Sequence, residues 1–195
     1  KIKLRYRGDH IWHWGRHKKS MRVKTNKKNM YLGMKKFNLI APKQDHMLGT
    51  VLGYKLAELF ELITPKSKLV NVNINGKRKG VHVLVEQIEE LTLRNNSKIP
   101  GDIFSGDLIS TDKVKGVSNN VFNHPGLWKK IAINNHYNKE QFASLSKLTR
   151  LINAPASNEV HSNLSEILDM EYWGRFAAFE TLAQTFHFDN THNWK

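Results

Sequence analysis

Two residues close to the end of the sequence, Asp189 and Asn193, have side chains of the types that metal-assisted phosphoryl transfer uses. A carboxylate can accept the proton of an attacking hydroxyl, and an amide oxygen can ligate Mg²⁺. Three residues separate the pair, which directly follows a strongly patterned helical segment. Because Asp and Asn are also common in ordinary turns, the pair predicts this chemistry only if the preceding elements can position a nucleotide beside it.

The order of the predicted elements indicates an α+β fold with a β-rich first lobe, 1–97, and a mostly helical second lobe, 98–195. Alternation of apolar and polar residues predicts the strands, and apolar spacings of three and four residues predict the helices. The predicted elements are strands over 2–7 and 20–24, an apolar run at 37–42, a helix over 46–62 with Asp45 as its N-cap, strands over 69–74 and 80–86, helices over 87–97 and from 139 to Ala154, and a last helix that Asn163 or Ser165 caps and that reaches about 185. Residues 98–137 show no clear period and are predicted to be a long connection.

Finer predictions concern one turn and two buried faces. Asn75-Gly76 predicts a hairpin turn, but the polar residues 77–79 that follow predict a loop longer than two residues. Each long helix is predicted to bury one apolar stripe. The stripes are Leu48, Leu52, Leu56, Leu59 and Ile63 in the first lobe, and Leu168, Tyr172, Phe176, Phe179 and Leu182 in the second.

Positive charge is concentrated at the start of the chain, whose formal net charge is +14. Residues 1–36 contain 13 Lys or Arg and one acid, whereas the other 159 residues contain 18 bases and 16 acids. This distribution favours an anionic partner, with a solvated charged surface as the ordinary alternative. The lack of Cys excludes disulfides and thiolate metal sites. No apolar run reaches the roughly 18 residues that predict a membrane span.

Several residues supply the other parts of a nucleotide site in the expected chain order. Arg7 lies in the first turn, and Lys24 ends a strand. Glu58 or Glu61, on the following helix, is a candidate ion-pair partner for Lys24, and Glu86 ends the last strand of the first lobe. Each residue also has an ordinary interpretation, since most Lys and Arg side chains face solvent and acids are favoured before helices. The ordered set favours the nucleotide site.

A histidine metal site is a weaker alternative. His10, His13 and His17 lie in one loop, and neutral imidazoles are good Zn²⁺ ligands. Their spacing matches no closed site, however, and carboxylates are scarce around them. Surface or interface histidines are the ordinary interpretation.

Six segments, which together span nearly the whole chain, carry a resemblance to a known family. They are 5–9 (RYRGD), 18–24 (KKSMRVK), 37–40 (FNLI), 72–76 (VNING), 80–88 (GVHVLVEQI) and 188–194 (FDNTHNW). In sequence and order they resemble the CotH kinase family of spore-coat proteins, an atypical branch of the protein-kinase-like fold. The resemblance therefore implies a kinase-like fold with a β-rich N-terminal lobe and a helical C-terminal lobe.

The resemblance also implies an activity and residue roles. Some members of this family transfer phosphate from ATP to protein Ser or Thr hydroxyls, which implies Mg²⁺ or Mn²⁺ as the cofactor. Arg7 and Lys24 would contact the nucleotide phosphates, and Glu86 would sit at the hinge. Asp189 would be the catalytic aspartate, and Asn193 would be a metal ligand.

Two expectations about the protein's setting follow from the same resemblance. The first is a bacterial protein that is secreted, in the spore coat or on the cell surface. The second is a further metal-binding Asp beyond Lys195, so that we expect the chain to be a C-terminally truncated piece with weak activity. The competing class is a non-catalytic surface or spore-coat assembly module of the same fold whose basic lobe binds an anionic partner, with nucleic acid the less expected one.

Overall fold

The computed structural model of the chain describes residues 2–8, 11–26, 28–42, 48–108, 120–132 and 142–184. The chain divides into two compact units, Lys1–Lys98 and Ile99–Lys195. The architecture is mixed α+β, with antiparallel sheets and helices, as the order of the predicted elements indicated. None of the helices in these described residues is both long and apolar enough to cross a membrane.

The first unit is built on a five-stranded antiparallel sheet. Its elements are β1 (Lys3–Tyr6), a 3-10 turn (Ile11–His13), β2 (Met21–Lys24), β3 (Lys36–Ile40), α1 (Gly49–Leu59), β4 (Ser67–Ile74), β5 (Lys77–Glu86) and α2 (Glu90–Asn95). The strands lie in the order β1-β2-β3-β5-β4. The long strand β5 therefore occupies an interior position between β3 and β4, although α1 and β4 separate it from β3 in sequence.

The period-two alternation of the strands gives this sheet one apolar face. A buried cluster forms on that face from residues of β2, β3, β4, β5 and the loop before β3. Its members are Met21, Val23, Met34, Phe37, Leu39, Val72 and Leu84, with Val70 and Ile74 packed against them. Because successive strand residues point to opposite faces, Arg22 and Lys24 lie on the other face of β2.

The β4–β5 hairpin has a tighter turn than the sequence predicted. Strand β5 begins at Lys77, so Asn75 and Gly76 alone form the turn, both with positive φ (50° and 76°). Such a two-residue turn matches the twist of paired strands, and the polar residues that follow pair within the ladder. The predicted longer loop is wrong. The irregularity lies further on instead, in a bulge where Val72 pairs with Gly80 and Asn73 pairs with Arg78.

Helix α1 is shorter than predicted and exposes most of its predicted stripe. Its predicted N-cap, Asp45, lies outside the described residues. Leu52 is 60% exposed and Leu59 is 81% exposed, whereas Ala57 is the buried residue of the helix. The spacing identified leucines that share a helix face, but the first unit buries a different face.

The second unit contains a hairpin that the sequence did not reveal. Its elements are β6 (Ile103–Gly106), 3-10 turns at Val121–Asn123 and Pro125–Leu127, β7 (Trp128–Ala132), α3 (Ala143–Ile152), α4 (Asn158–Ser165) and α5 (Met170–Ala183). Strands β6 and β7 pair antiparallel, so part of the predicted long connection is regular structure. Trp128 fixes this region, since its indole N–H donates to the Val121 carbonyl at 2.7 Å within a buried cluster that also includes Leu145.

The last helix begins later than predicted, and a separate helix, α4, which the sequence did not reveal, precedes it. Ser157 caps α4 by accepting the Val160 N–H, and Asp169 caps α5 by accepting the Tyr172 N–H. The predicted caps Asn163 and Ser165 therefore lie inside α4 and are wrong. In α5, Phe179 is buried, but the other members of the predicted stripe are not.

Candidate functional site

Three lysines lie side by side across the first three strands of the sheet. Lys24 on β2 is directly opposite Lys3 on β1 and directly opposite Lys36 on β3. Residues opposite each other in antiparallel strands have Cβ atoms about 4.5–5.5 Å apart and point to the same face. We call these three residues the lysine row.

A second cross-strand row lies two residues along the same face. Arg5 on β1 is opposite Arg22 on β2, which is opposite Asn38 on β3. The Arg22 Nε–H donates to Asn38 Oδ1 at 3.0 Å, and the Asn38 amide N–H donates to Gln87 Oε1 at 3.3 Å. These contacts hold Arg22 and Asn38 against the sheet. Arg5, by contrast, is exposed.

The lysine row is electrostatically unfavourable unless negative charge lies beside it. Like charges directly opposite each other destabilise a sheet. Glu89 forms an ion pair with Lys36 and so offsets one of the three charges. Within the part of the chain that the structure describes, no carboxylate forms an ion pair with Lys3 or Lys24. This end of the sheet is therefore suited to a small anion with several oxygen acceptors.

Arg7 lies next to the same face and close to helix α1. Its backbone N–H donates to the Ser20 carbonyl at 3.0 Å, which extends the pairing of β1 with β2. Burial raises the pKa of the Tyr54 phenol above its ordinary value of 10.0, and the positive charge of Arg7 lowers it by a smaller amount. Tyr54 belongs to α1, so the positive charge of Arg7 acts on a residue of this helix.

Glu86 is buried, and its carboxylate is used within the first unit. The residue is 4% exposed. Its Oε1 accepts from the Asn95 side-chain amide at 3.0 Å, and its Oε2 accepts from the Lys66 backbone N–H at 3.1 Å. The end of β5 is thereby tied to the start of β4 and to α2. Sequence reasoning assigned Glu86 to nucleotide binding, and the structure gives its side chain two partners inside the protein.

Replacing Glu86 by alanine is expected to lower the free energy of unfolding by about 1–3 kcal/mol, because two part-buried hydrogen bonds to a buried carboxylate would be lost. Urea unfolding of both proteins, compared at equal m-value, measures the difference. Glu90→Ala is the matched control, since it removes the same charge from the adjoining helix α2. Among the described residues, Glu90 pairs with Arg94 in a surface i,i+4 contact, so the control should lose at most about 0.5 kcal/mol. Equal losses in the two variants would show that the buried contacts of Glu86 add nothing.

The predicted ion pair between Lys24 and a glutamate of α1 is absent from the described residues. Glu58 forms its ion pair with Lys55, three residues earlier on the same helix, at 2.6 Å. Glu61 lies beyond the end of α1 with a φ of 55°. The lysine that does gain a carboxylate is Lys36, whose partner Glu89 precedes α2.

Sequence reasoning missed Lys36, Arg22 and Glu89 as members of this face. Lys36 and Arg22 had a detectable signal, since each is polar next to an apolar strand residue. Their neighbours depend on strand register, which alternation alone does not specify. For Glu89 the sequence signal was Thr92 three residues later, a spacing that is typical of a helix cap. In the structure the Glu89 N–H donates to Thr92 Oγ1 at 3.1 Å, as part of a reciprocal cap at the start of α2.

The predicted catalytic pair, Asp189 and Asn193, lies outside the described residues. The histidine alternative is only partly covered, since His10 is also outside them. Among the residues that are described, no group of three or more His, Asp or Glu side chains is arranged to hold a metal ion. The described part of the site thus consists of cations suited to phosphate oxygens.

Comparison with known protein families gives a match that covers nearly the whole chain. The sequence profile of the family described as "CotH kinase protein" matches residues 4–195. The match includes β1 from its second residue onward with Arg7 just beyond it, the lysine-bearing strands β2 and β3, and the segment with Asp189 and Asn193. No individually curated protein matches the chain.

Proposed function

The chain belongs to the CotH kinase family, and on that premise we propose that it transfers the γ-phosphoryl group of ATP to Ser or Thr hydroxyls of a protein substrate. Mg²⁺, or Mn²⁺ in its place, assists the reaction. Phosphoryl transfer requires mainly positioning and electrostatic stabilisation of the phosphate oxygens. The first unit offers cations arranged for that task.

The lysine row is the observation that carries this proposal. Lys24 lies between Lys3 and Lys36, and Lys36 alone has a carboxylate partner among the described residues. A nucleotide triphosphate brings several negative oxygens to one place, so it would relieve the repulsion between the lysines. Arg7 lies close to Tyr54 of α1 and would be the second contact to the phosphates. The family resemblance implies the same role, contact with the nucleotide phosphates, for Arg7 and Lys24.

The catalytic roles rest on the family motif at the end of the chain. Asp189 would orient the acceptor hydroxyl and accept its proton, since a carboxylate is the general base of this chemistry. Asn193 would hold the divalent cation through its amide oxygen. The cation supplies neutralisation of the charge that develops on the phosphate oxygens.

Glu86 enters this proposal as a positioning residue. Both of its carboxylate oxygens accept hydrogen bonds from the protein and the residue is buried, so we expect it to act by holding the strand in place. Its position at the end of β5 agrees with a hinge role, in which it fixes the point where the chain leaves the sheet. A nucleotide base would then contact the backbone near this point.

Thermal unfolding of the protein in its full natural length, with and without Mg-ATP, tests the proposal. A ligand at 100 times its dissociation constant stabilises the folded state by about 2.7 kcal/mol, which gives a shift of several degrees in Tm. Mg-AMP is the control, since it lacks the β- and γ-phosphates that the lysine row would bind. Transfer of labelled γ-phosphate to protein Ser or Thr is the second measurement.

The two measurements distinguish the kinase from a binding module. No shift with Mg-ATP and no phosphate transfer, together with a shift caused by an acidic polypeptide, would favour a non-catalytic module with an anionic partner. If Mg-AMP raises Tm as much as Mg-ATP does, the β- and γ-phosphates contribute nothing to binding, which would contradict the role of the lysine row.

A further inference from the structure

A second cluster of positive charge lies at the other end of the sheet. We call it the hairpin-tip cluster, and its members are Lys18, Lys19, Lys77, Arg78 and Lys79. The last three follow the Asn75-Gly76 turn and are exposed, whereas Lys18 and Lys19 are half-buried in the loop before β2. Two segments that are far apart in sequence thus contribute to one surface.

Specific contacts hold these two segments together. His82 on β5 is fully buried, and its ring lies 3.2 Å from the Gly80 carbonyl on one side and 3.3 Å from the Lys19 carbonyl on the other. A Cβ built on Gly80 would lie 3.5 Å from the Lys18 ammonium, so this lysine passes directly over the bulge. The Lys19 ammonium lies 5.0 Å from the centre of the Tyr6 ring.

No carboxylate in the described part of the chain pairs with any member of the cluster. The glutamates of the first unit are engaged elsewhere: Glu58 pairs with Lys55, Glu89 with Lys36 and Glu90 with Arg94. Five neighbouring cations repel one another, and such a patch attracts an anionic partner. The fold thus maintains a concentration of positive charge that its own described acids do not offset.

The cluster is separate from the lysine row. The Gln87 N–H bonds to the Lys36 carbonyl, so the lysine row is level with the far end of β5. Nine residues separate Arg78 from Gln87, and at about 3.3 Å per strand residue this is roughly 30 Å. One nucleotide cannot contact both the lysine row and the exposed tip residues Lys77, Arg78 and Lys79.

We propose that the hairpin-tip cluster docks an acidic segment of the protein substrate at a distance from the Ser or Thr that is phosphorylated. This inference rests on the proposed kinase function. Binding at a second site raises the effective concentration of the acceptor hydroxyl near the reacting phosphate. The cluster therefore selects substrates whose acidic segment lies some tens of ångströms from the acceptor residue.

The shape of the cluster favours a peptide over nucleic acid. The exposed part is the tip of a two-stranded ribbon, short enough to be matched by a few carboxylates. Single-stranded nucleic acid is bound by a longer cationic groove with aromatic rings on which bases stack. The Tyr6 ring beside the cluster already has the Lys19 ammonium over it.

Fluorescence anisotropy with a dye-labelled hexaglutamate peptide, on the full-length protein at 0.15 M salt without ATP, tests the proposal. The variant is Lys77→Gln/Arg78→Gln/Lys79→Gln, in which all three residues are exposed and the turn is unchanged. The control is Lys98→Gln/Lys147→Gln/Arg150→Gln, which removes the same charge from exposed positions elsewhere. We expect the first variant to lose about tenfold in affinity, the sum of three exposed ion pairs, and the control to lose less than twofold.

Several outcomes would overturn the assignment. Equal losses in the two variants would show attraction to net charge only, and absence of peptide binding would remove the docking site. Tighter binding of a labelled oligonucleotide, lost in the first variant alone, would assign the cluster to nucleic acid. Mg-ATP binding should be unchanged in the first variant, so failure of peptide docking and failure of the kinase proposal give different results.

Discussion

Replacing Asp189 by alanine is expected to lower kcat for phosphate transfer about 10³-fold at saturating Mg-ATP, because a positioned general base contributes on the order of 10²–10⁴ to the rate. The nucleotide affinity should change little, since this residue acts on the acceptor hydroxyl. The measurement is transfer of labelled γ-phosphate to a protein acceptor by the full-length protein, with Kd for Mg-ATP determined separately.

Two further variants make this result specific. Asp189→Asn keeps the size of the side chain but removes the proton acceptor, so it should be as inactive as the alanine variant. Asn190→Ala changes the adjoining residue and should retain most of the activity. Full activity in Asp189→Ala would refute the catalytic role, and equal losses at 189 and 190 would indicate a damaged segment rather than a missing base.

Replacing Lys24 by alanine is expected to raise Kd for Mg-ATP about 10- to 100-fold, because a hydrogen bond to a charged group is worth about 1.5–3 kcal/mol. Lys24 is the central member of the lysine row, with Lys3 and Lys36 opposite it. The loss should appear in kcat/KM for ATP and in the stabilisation of the fold by nucleotide. Without nucleotide the variant should be at least as stable as the wild type, since one of three adjacent like charges is gone.

Lys28→Ala is the matched control for this prediction. Lys28 is exposed, follows β2 by a few residues, and carries the same charge. It should bind Mg-ATP within about twofold of the wild type, since removal of a remote surface charge has a small effect. If both lysine variants lose affinity equally, general positive potential attracts the nucleotide, and the lysine row has no specific role.

The elements that the sequence predicted well are those whose signal is local. Asn-Gly between two alternating runs predicts the β4–β5 hairpin because left-handed backbone at both turn positions is favourable for those residues. The prediction of a longer loop failed because charged residues such as Lys77 also suit an exposed strand end. The β6–β7 hairpin was missed because its strands are short and its surroundings are rich in Gly and Asn.

Burial was harder to predict than secondary structure. The spacing of Leu52 and Leu59 indicates a shared helix face, but spacing does not show which face the rest of the unit covers. In the second unit, the apolar spacing includes Leu168, which precedes the cap at Asp169, so the start of α5 was predicted several residues too early. The cap itself was visible as an acid before an apolar run, and a capping rule applied there would have placed the boundary.

The sequence predicted individual residues of the candidate site, but it did not predict which of them lie next to one another. Alternation shows that Lys24 lies on the polar face of its strand, and the family resemblance implies its role. Its lysine neighbours follow from the pairing of β2 with β1 and β3, which requires the strand order and register of the whole sheet. The roles of Asp189 and Asn193 stay predictions, since both lie outside the described residues.

The bulge in the β4–β5 ladder decides which face of the sheet each later residue of β5 occupies. Between the turn and the pairing of Val72 with Gly80, β5 has one residue more than β4. Every side chain beyond Gly80 therefore points to the face opposite the one that an uninterrupted ladder would give it. Leu84 joins the buried cluster and Glu86 reaches Lys66 and Asn95 because of a single extra residue near the hairpin tip.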